Sequence, residues 1–257
     1  MDHRTTDSHH TPAPSPASSA AGPEPVAADR LDAGPEAATG GRVDAGAEFD
    51  RQVDTLVRLG YPALAGLTVD GFAELVAPLR AAAVAGATEL PPPTEARVPF
   101  LLVVTDDLIP VPERLALLTL AGRRKPGFVA ENFPPADVPT FEPIKELAVP
   151  AGPAYLLFDV DRGEEFRNVT PAAAVEAMAT TGRLPISIDE GIAFLTHFPA
   201  ALAPNRCFSL VGSRCGDRRV PALWISQGAP KLGWCWHGNP HTWLGSASAR
   251  PDRVGLA

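Results

Sequence analysis

At 257 residues the chain has the length of one domain, or one domain with a tail, and its 45 % apolar content excludes wholesale disorder. No stretch approaches the roughly 20 unbroken apolar residues of a membrane helix, and the opening "MDHRTTDSHHTPAPSP" lacks the apolar core of a secretory signal. The formal net charge of −8 speaks against broad nucleic-acid binding, and three cysteines without a signal speak against a disulfide framework, so a reducing, cytoplasmic setting without membrane contact is expected.

Residues 1–47 are built from Ala, Pro, Gly, Ser, Thr and scattered charge, with no aromatic before Phe49. Such a segment buries too little apolar surface to offset the entropy of ordering, so it reads as a disordered acidic tail, with His9 and His10 solvated. A single α+β domain is expected over 48–257. "AEFDRQVDTLVRLGYP" sets Phe49, Val53 and Leu56 on one helical face, with Gly60 beyond its end and Pro62 as a stop. "LTVDGFAELVAPLRAAAV" follows with Thr68 as cap and Pro78 ending or kinking it. "ELPPPTEAR" is a stiff connector.

"VPFLLVVT" (98–105) has the length and composition of a strand buried on both faces. The acids that follow it, Asp106 and Asp107, suit a metal or, more commonly, a cap for the next helix. That helix is "VPERLALLTLAG", with Gly122 past its end. Residues 123–153 are dense in Pro and Gly and read as loop. "AYLLFDVD" (154–161) is a second core strand. "NVTPAAAVEAMATTG" carries Thr170 as N-cap and Pro171 at the first helical position, and "SIDEGIAFLTHFP" opens with the capping-box pair Ser187 and Glu190. After residue 205 the texture turns to short strands. "RCFSLVG" is one; "RRVPALWIS" and "KLGWCW" alternate and flank "QGAP", read as a four-residue hairpin loop. Leu232, Trp234 and Trp236 then share one face. Helices first and between, with a mixed, mostly antiparallel sheet formed largely by the C-terminal third, define the expected architecture.

Several constellations carry potential chemistry. Three cysteines with His237 and His241 are zinc donors by type, but no C-x₂₋₄-C pair exists, so no metal site is expected. Cys215 lies in "GSRCGDRR", where Arg214, Arg218 and Arg219 favour a thiolate. That makes Cys215, with His197, His237 or His241 as base, the centre of an alternative reading as a hydrolase or transferase. "YLLFDVDRG" imitates the D-x-D start of the haloacid-dehalogenase phosphohydrolases through Asp159 and Asp161, but Arg162 and Gly163 depart from that pattern. No glycine-rich phosphate motif exists, and no cofactor is implied.

Charge is distributed unevenly: net −4 over 1–47, −9 over 48–204 and +5 over 205–257. The basic end is also the aromatic end, "GWCWHGNPHTWLG". Internal neutralisation against the acidic helices is one reading. A site for an anionic small molecule or peptide is the other, with Arg214, Arg218, Trp236, His237, Asn239 and His241 as its residues. The tryptophans read mainly as core and "HGNPHT" as the contact surface.

From about residue 48 to 248 the chain resembles a family of uncharacterised actinobacterial proteins grouped as a domain of unknown function. The carriers are "FDRQVDTLVRLGYPALAGL", "PAYLLFDVDRG", "EGIAFLTHFP", "CFSLVGSRCGDRRVPALWIS" and "KLGWCWHGNPHTWLGSAS". The resemblance implies the domain boundary and a bacterial cytoplasmic setting. It implies no activity, cofactor or catalytic residue.

Overall fold

The computed structural model describes residues 42–134 and 136–256, so most of the expected tail lies outside the described residues. The first described helix starts at Ala45, three residues before the expected boundary at residue 48. Helix α1 (Ala45–Leu59) is capped by the Asp44 carboxylate, which accepts from the Ala47 amide, and Arg42 pairs with Glu89. Gly60 ends α1 in the left-handed region, with φ of 88°. After α2 (Tyr61–Leu64) and α3 (Val69–Val76), Pro78 breaks the path, and a separate helix α4 (Leu79–Ala87) follows. Gly86 lets α4 meet the central sheet closely: a Cβ there would collide with the Phe158 ring.

Among the described residues the strands form two five-stranded sheets and a small ribbon, not one sheet. In the first, β1 (Arg97–Val104) and β4 (Ala154–Asp161) are antiparallel, and β5 (Leu184–Pro185), β11 (Ser248–Ala249) and β12 (Arg253–Gly255) complete it. Phe100, Leu102, Leu156 and Phe158 face α1–α4; Leu101, Val103, Tyr155 and Leu157 face the opposite core. Both strands are therefore buried on both faces, as their unbroken apolar runs require. Asp159 interrupts β4 with φ of 51°. Alternation slips there, and Val160 joins the same core as Leu157.

Strand β1 is an edge, and side chains cover its free backbone. The Gln52 amide donates to the Phe100 carbonyl and accepts from the Leu102 amide, at 3.0 and 2.7 Å. His197 Nε2 lies 2.9 Å from the Leu102 carbonyl. An edge satisfied in this way offers little to a foreign strand.

The second sheet runs β10 (Leu244–Ser246), β6 (Cys207–Ser209), β8 (Arg219–Ser226), β9 (Ala229–Trp236) and β2 (Phe128–Val129). It is mixed, since β10 runs parallel to β6 and β2 to β9. The β8–β9 loop is two residues, not four. Gln227 and Gly228 both adopt positive φ, 52° and 73°, the requirement of a type I′ turn whose twist matches the strands. The ribbon pairs β3 (Glu142–Pro143) with β7 (Ser213–Arg214).

Between the sheets runs α7 (Ile188–His197), every residue of which from Glu190 onward is buried. Its capping box of Ser187 and Glu190 is formed as expected. Helix α6 (Pro171–Thr180) is capped by Thr170. Helix α5 (Val111–Leu117) stops five residues short of Gly122. Leu118 turns extended to bury its side chain, and its carbonyl accepts from the Gly127 amide. The architecture is α+β, with the helical N-terminal part packed on sheet. Among the described residues no helix is long and apolar enough to cross a membrane.

Candidate functional site

Antiparallel pairing of Arg219 with Trp236 fixes where the C-terminal loops emerge. The loop before β8 and the loop after β9 leave from the same end of the hairpin. The His237 amide donates to the Arg218 carbonyl at 2.9 Å, and the Asn239 amide to the Trp236 carbonyl at 3.0 Å. The Arg218 guanidinium lies over Gly238, 3.2 Å from where a Cβ would stand. Arg214 donates through Nη2 to the Asp217 carbonyl, while its Nε has no partner among the described residues. Among those residues, no carboxylate forms a salt bridge with Arg214 or Arg218, whereas Arg219 is held by Asp137 and Asp217. His237 is shifted below its ordinary pKa by partial burial and by the charges of Arg214 and Arg218. Three of the sequence-derived residues therefore share one electrostatic neighbourhood.

Trp236 stands at the same end, 47 % exposed. Its ring meets Trp234 edge-to-face at 4.9 Å. Trp234 is fixed in turn by an Nε1–H bond to the Asn132 carbonyl at 3.1 Å and by the Arg219 guanidinium, 5.8 Å from its ring centre. The hairpin's other face carries Trp224 across Gly233, where any Cβ would strike the indole. Trp224 packs on Trp243 at 6.2 Å, and His241 on Trp243 at 5.3 Å. His241 thus belongs to this second aromatic row. Its pKa is lowered by burial, with no arginine contributing.

Cys215 has the opposite polarity to the one its neighbours suggested. Its thiol pKa is raised, by desolvation and by donating to the Asp217 carboxylate at 3.2 Å; the weaker opposing pulls come from the Asp217 backbone amide and then from Arg219. A thiolate nucleophile needs the reverse. Cys207 and Cys235 are pushed up to about 11 by burial. The two acids of "FDVD" also have structural roles. Asp159 is gripped by Arg97 at 2.6 and 2.7 Å and by Arg183 at 2.8 Å, and Asp161 accepts from the Gly163 amide. Asp106 takes the capping role, accepting from the Val111 amide at 2.6 Å.

One feature escaped sequence reasoning. A cleft of about 280 Å³ opens where β1, α5, α7 and the β3–β7 ribbon converge. Asp106, Asp107, Glu142 and Asp189 lie on it, with Val111 and Phe141 among its walls. Beneath it the buried Arg114 donates to the Ile109 and Val104 carbonyls and, at 2.6 Å, to Asp189. Burial raises the Asp189 carboxyl against the lowering pull of Arg114. The usable signal was local, acids just after a strand and just inside a helix, but 82 residues part Asp107 from Asp189. Among the described residues no three His, Cys, Asp or Glu side chains are placed to hold a metal ion.

Fold and surface together define an α+β domain with two sheets, a basic aromatic hairpin end and a separate acidic cleft. The chain belongs to DUF5701, a family of unknown function, whose model matches residues 55–255, from within α1 to the end of β12. No curated protein and no solved structure matches.

Proposed function

We propose that this domain binds an anionic small molecule at the open end of the β8–β9 hairpin, in the cytoplasm. The observation that carries the reading is the convergence of Arg214, Arg218 and His237 there, with no carboxylate salt-bridged to either arginine among the described residues. Guanidinium groups give paired, directional donors to phosphate or carboxylate oxygens. Asn239 adds an exposed amide at the rim. His241 is a packing residue in this arrangement and not a contact. The alternative centred on Cys215 receives no comparable support, because its proton is held by Asp217.

The test is a thermal-shift screen of phosphate- and carboxylate-bearing metabolites on the wild type, Arg214→Ala and Arg218→Ala, with His241→Ala as a control. A ligand should raise the wild-type midpoint by mass action and lose effect as salt rises. It should fail on both arginine variants and act normally on the control. If every anion leaves the midpoint unchanged, or a ligand works equally on the arginine variants, the assignment is wrong.

A further inference from the structure

We infer that the anion is carried on a planar aromatic ring, and that the ligand class is a nucleoside monophosphate whose base stacks on Trp236 while its phosphate meets Arg214 and Arg218. The inference rests on the anion reading and adds a ligand class to it. Its independent observation is Trp236 itself. A soluble domain gains little by leaving nearly half of an indole in water, yet this ring is 47 % exposed and also held in place. Its backbone is pinned on both sides, by the Arg219 pairing and by the Asn239 amide. Its ring is braced at 70° against Trp234, which is anchored to the Asn132 carbonyl. A preformed aromatic surface loses little freedom on binding and accepts any π-face.

Its neighbours supply the second half of the recognition. His237 follows Trp236 directly, and Arg218 is joined to His237 by a backbone hydrogen bond. Asp217, the acid next to Arg218 in sequence, is engaged by Arg219 and by the Cys215 thiol, so it is held within its own turn; Glu142, opposite Arg214 in the β3–β7 pair, forms no salt bridge with it. An aromatic surface at the same hairpin end as two guanidinium groups that have no carboxylate salt bridge among the described residues matches a molecule with a flat ring at one end and a dianion at the other. A long nucleic acid is a poorer match, because the chain carries a net charge of −8 and few arginines stand here.

The experiment is calorimetric titration of the full chain with adenosine monophosphate, ribose 5-phosphate and a short single-stranded oligonucleotide. The proteins are wild type, Trp236→Ala, Trp236→Phe and Arg218→Ala, each checked for an unchanged melting midpoint. Stacking should make the nucleotide bind at least about tenfold tighter than the sugar phosphate. Trp236→Ala should bring the nucleotide down to the sugar-phosphate level, and Trp236→Phe should keep most of the difference. Equal binding of the two phosphates, lost in Arg218→Ala and indifferent to Trp236, would overturn the stacking inference and leave the anion site standing. Binding of neither phosphate would overturn the mononucleotide class, and would overturn the anion site as well if the carboxylates of the thermal-shift screen are also silent. An oligonucleotide at least tenfold tighter than the nucleotide would assign the surface to single strands and overturn the mononucleotide class.

Discussion

His197 shows how a single side chain in this domain can govern its response to pH. It is 4 % exposed, and burial depresses its pKa to about 3 against the weaker raising effect of its bond to Leu102. The unfolded imidazole protonates below about 6.5, while the folded one stays neutral until far lower. The folded state is therefore favoured fully above about pH 6.5 and loses ground as pH falls. Within that window the slope approaches about 1.4 kcal/mol per pH unit. Denaturant titrations between pH 6.5 and 4.5 should show a markedly shallower slope in His197→Gln than in the wild type, the smaller contributions of His237 and His241 remaining; parallel curves would contradict the assignment. At Cys215 the carboxylate of Asp217 works against ionisation. Asp217→Asn should lower the thiol pKa and speed alkylation by iodoacetamide at pH 7.5 several-fold. A slower or unchanged rate would mean that desolvation alone holds the proton. The sequence showed the arginines around Cys215 but not which acid claims its proton. Asp217 was in plain view two residues on; the turn at Gly216, with φ of 83°, decides that it folds back.

Among the elements, the β8–β9 hairpin carries the candidate site, and its packing depends on absent side chains. Gly233 accommodates the Trp224 ring across the strand pair, opposite Ala222. Gly233→Ala should destabilise by about 1–3 kcal/mol through overpacking, measured as a drop in the denaturation midpoint. A neutral result would mean that Trp224 swings clear at no cost. This hairpin was legible because period-two alternation is unambiguous over eight residues. Its turn was not, because Gln at a position with φ of 52° lacks the Asn or Asp that announces a type I′ loop. Helix α5 was overextended for a related reason. "LTLAG" continues its apolar pattern, and only the tertiary demand to bury Leu118 stops it. Short strands such as β5, β11 and β12 have two or three residues each and leave no periodic trace.

At the scale of the whole molecule, one buried ion pair ties the C-terminal strand to the central helix. Arg253 donates to both Glu190 oxygens, at 2.6 and 3.1 Å, and Tyr155 donates to the first of them at 3.1 Å; the two charged side chains are 1 % and 0 % exposed. Glu190→Gln leaves a buried guanidinium without its counter-charge and should cost about 3–5 kcal/mol, while Glu190→Gln with Arg253→Met should recover much of that loss. An additive double variant, by chemical denaturation, would show that the pair does not act as a unit. The α+β class followed from element order, but the division into two sheets did not, since pairings such as β4 with β12 join residues about a hundred positions apart. The same distance hid the acidic cleft, whereas the basic end was legible because its loops flank one local hairpin. Two concave or charged surfaces thus compete for the functional role, and they are chemically opposite. The direct discriminator is amide chemical-shift mapping of the full chain during titration with adenosine monophosphate. Saturable shifts are expected at residues 214–219 and 234–241 only, including the Trp236 indole N–H. Shifts centred on residues 105–111, 138–143 and 188–189, or no saturable shifts at all, would contradict the hairpin site.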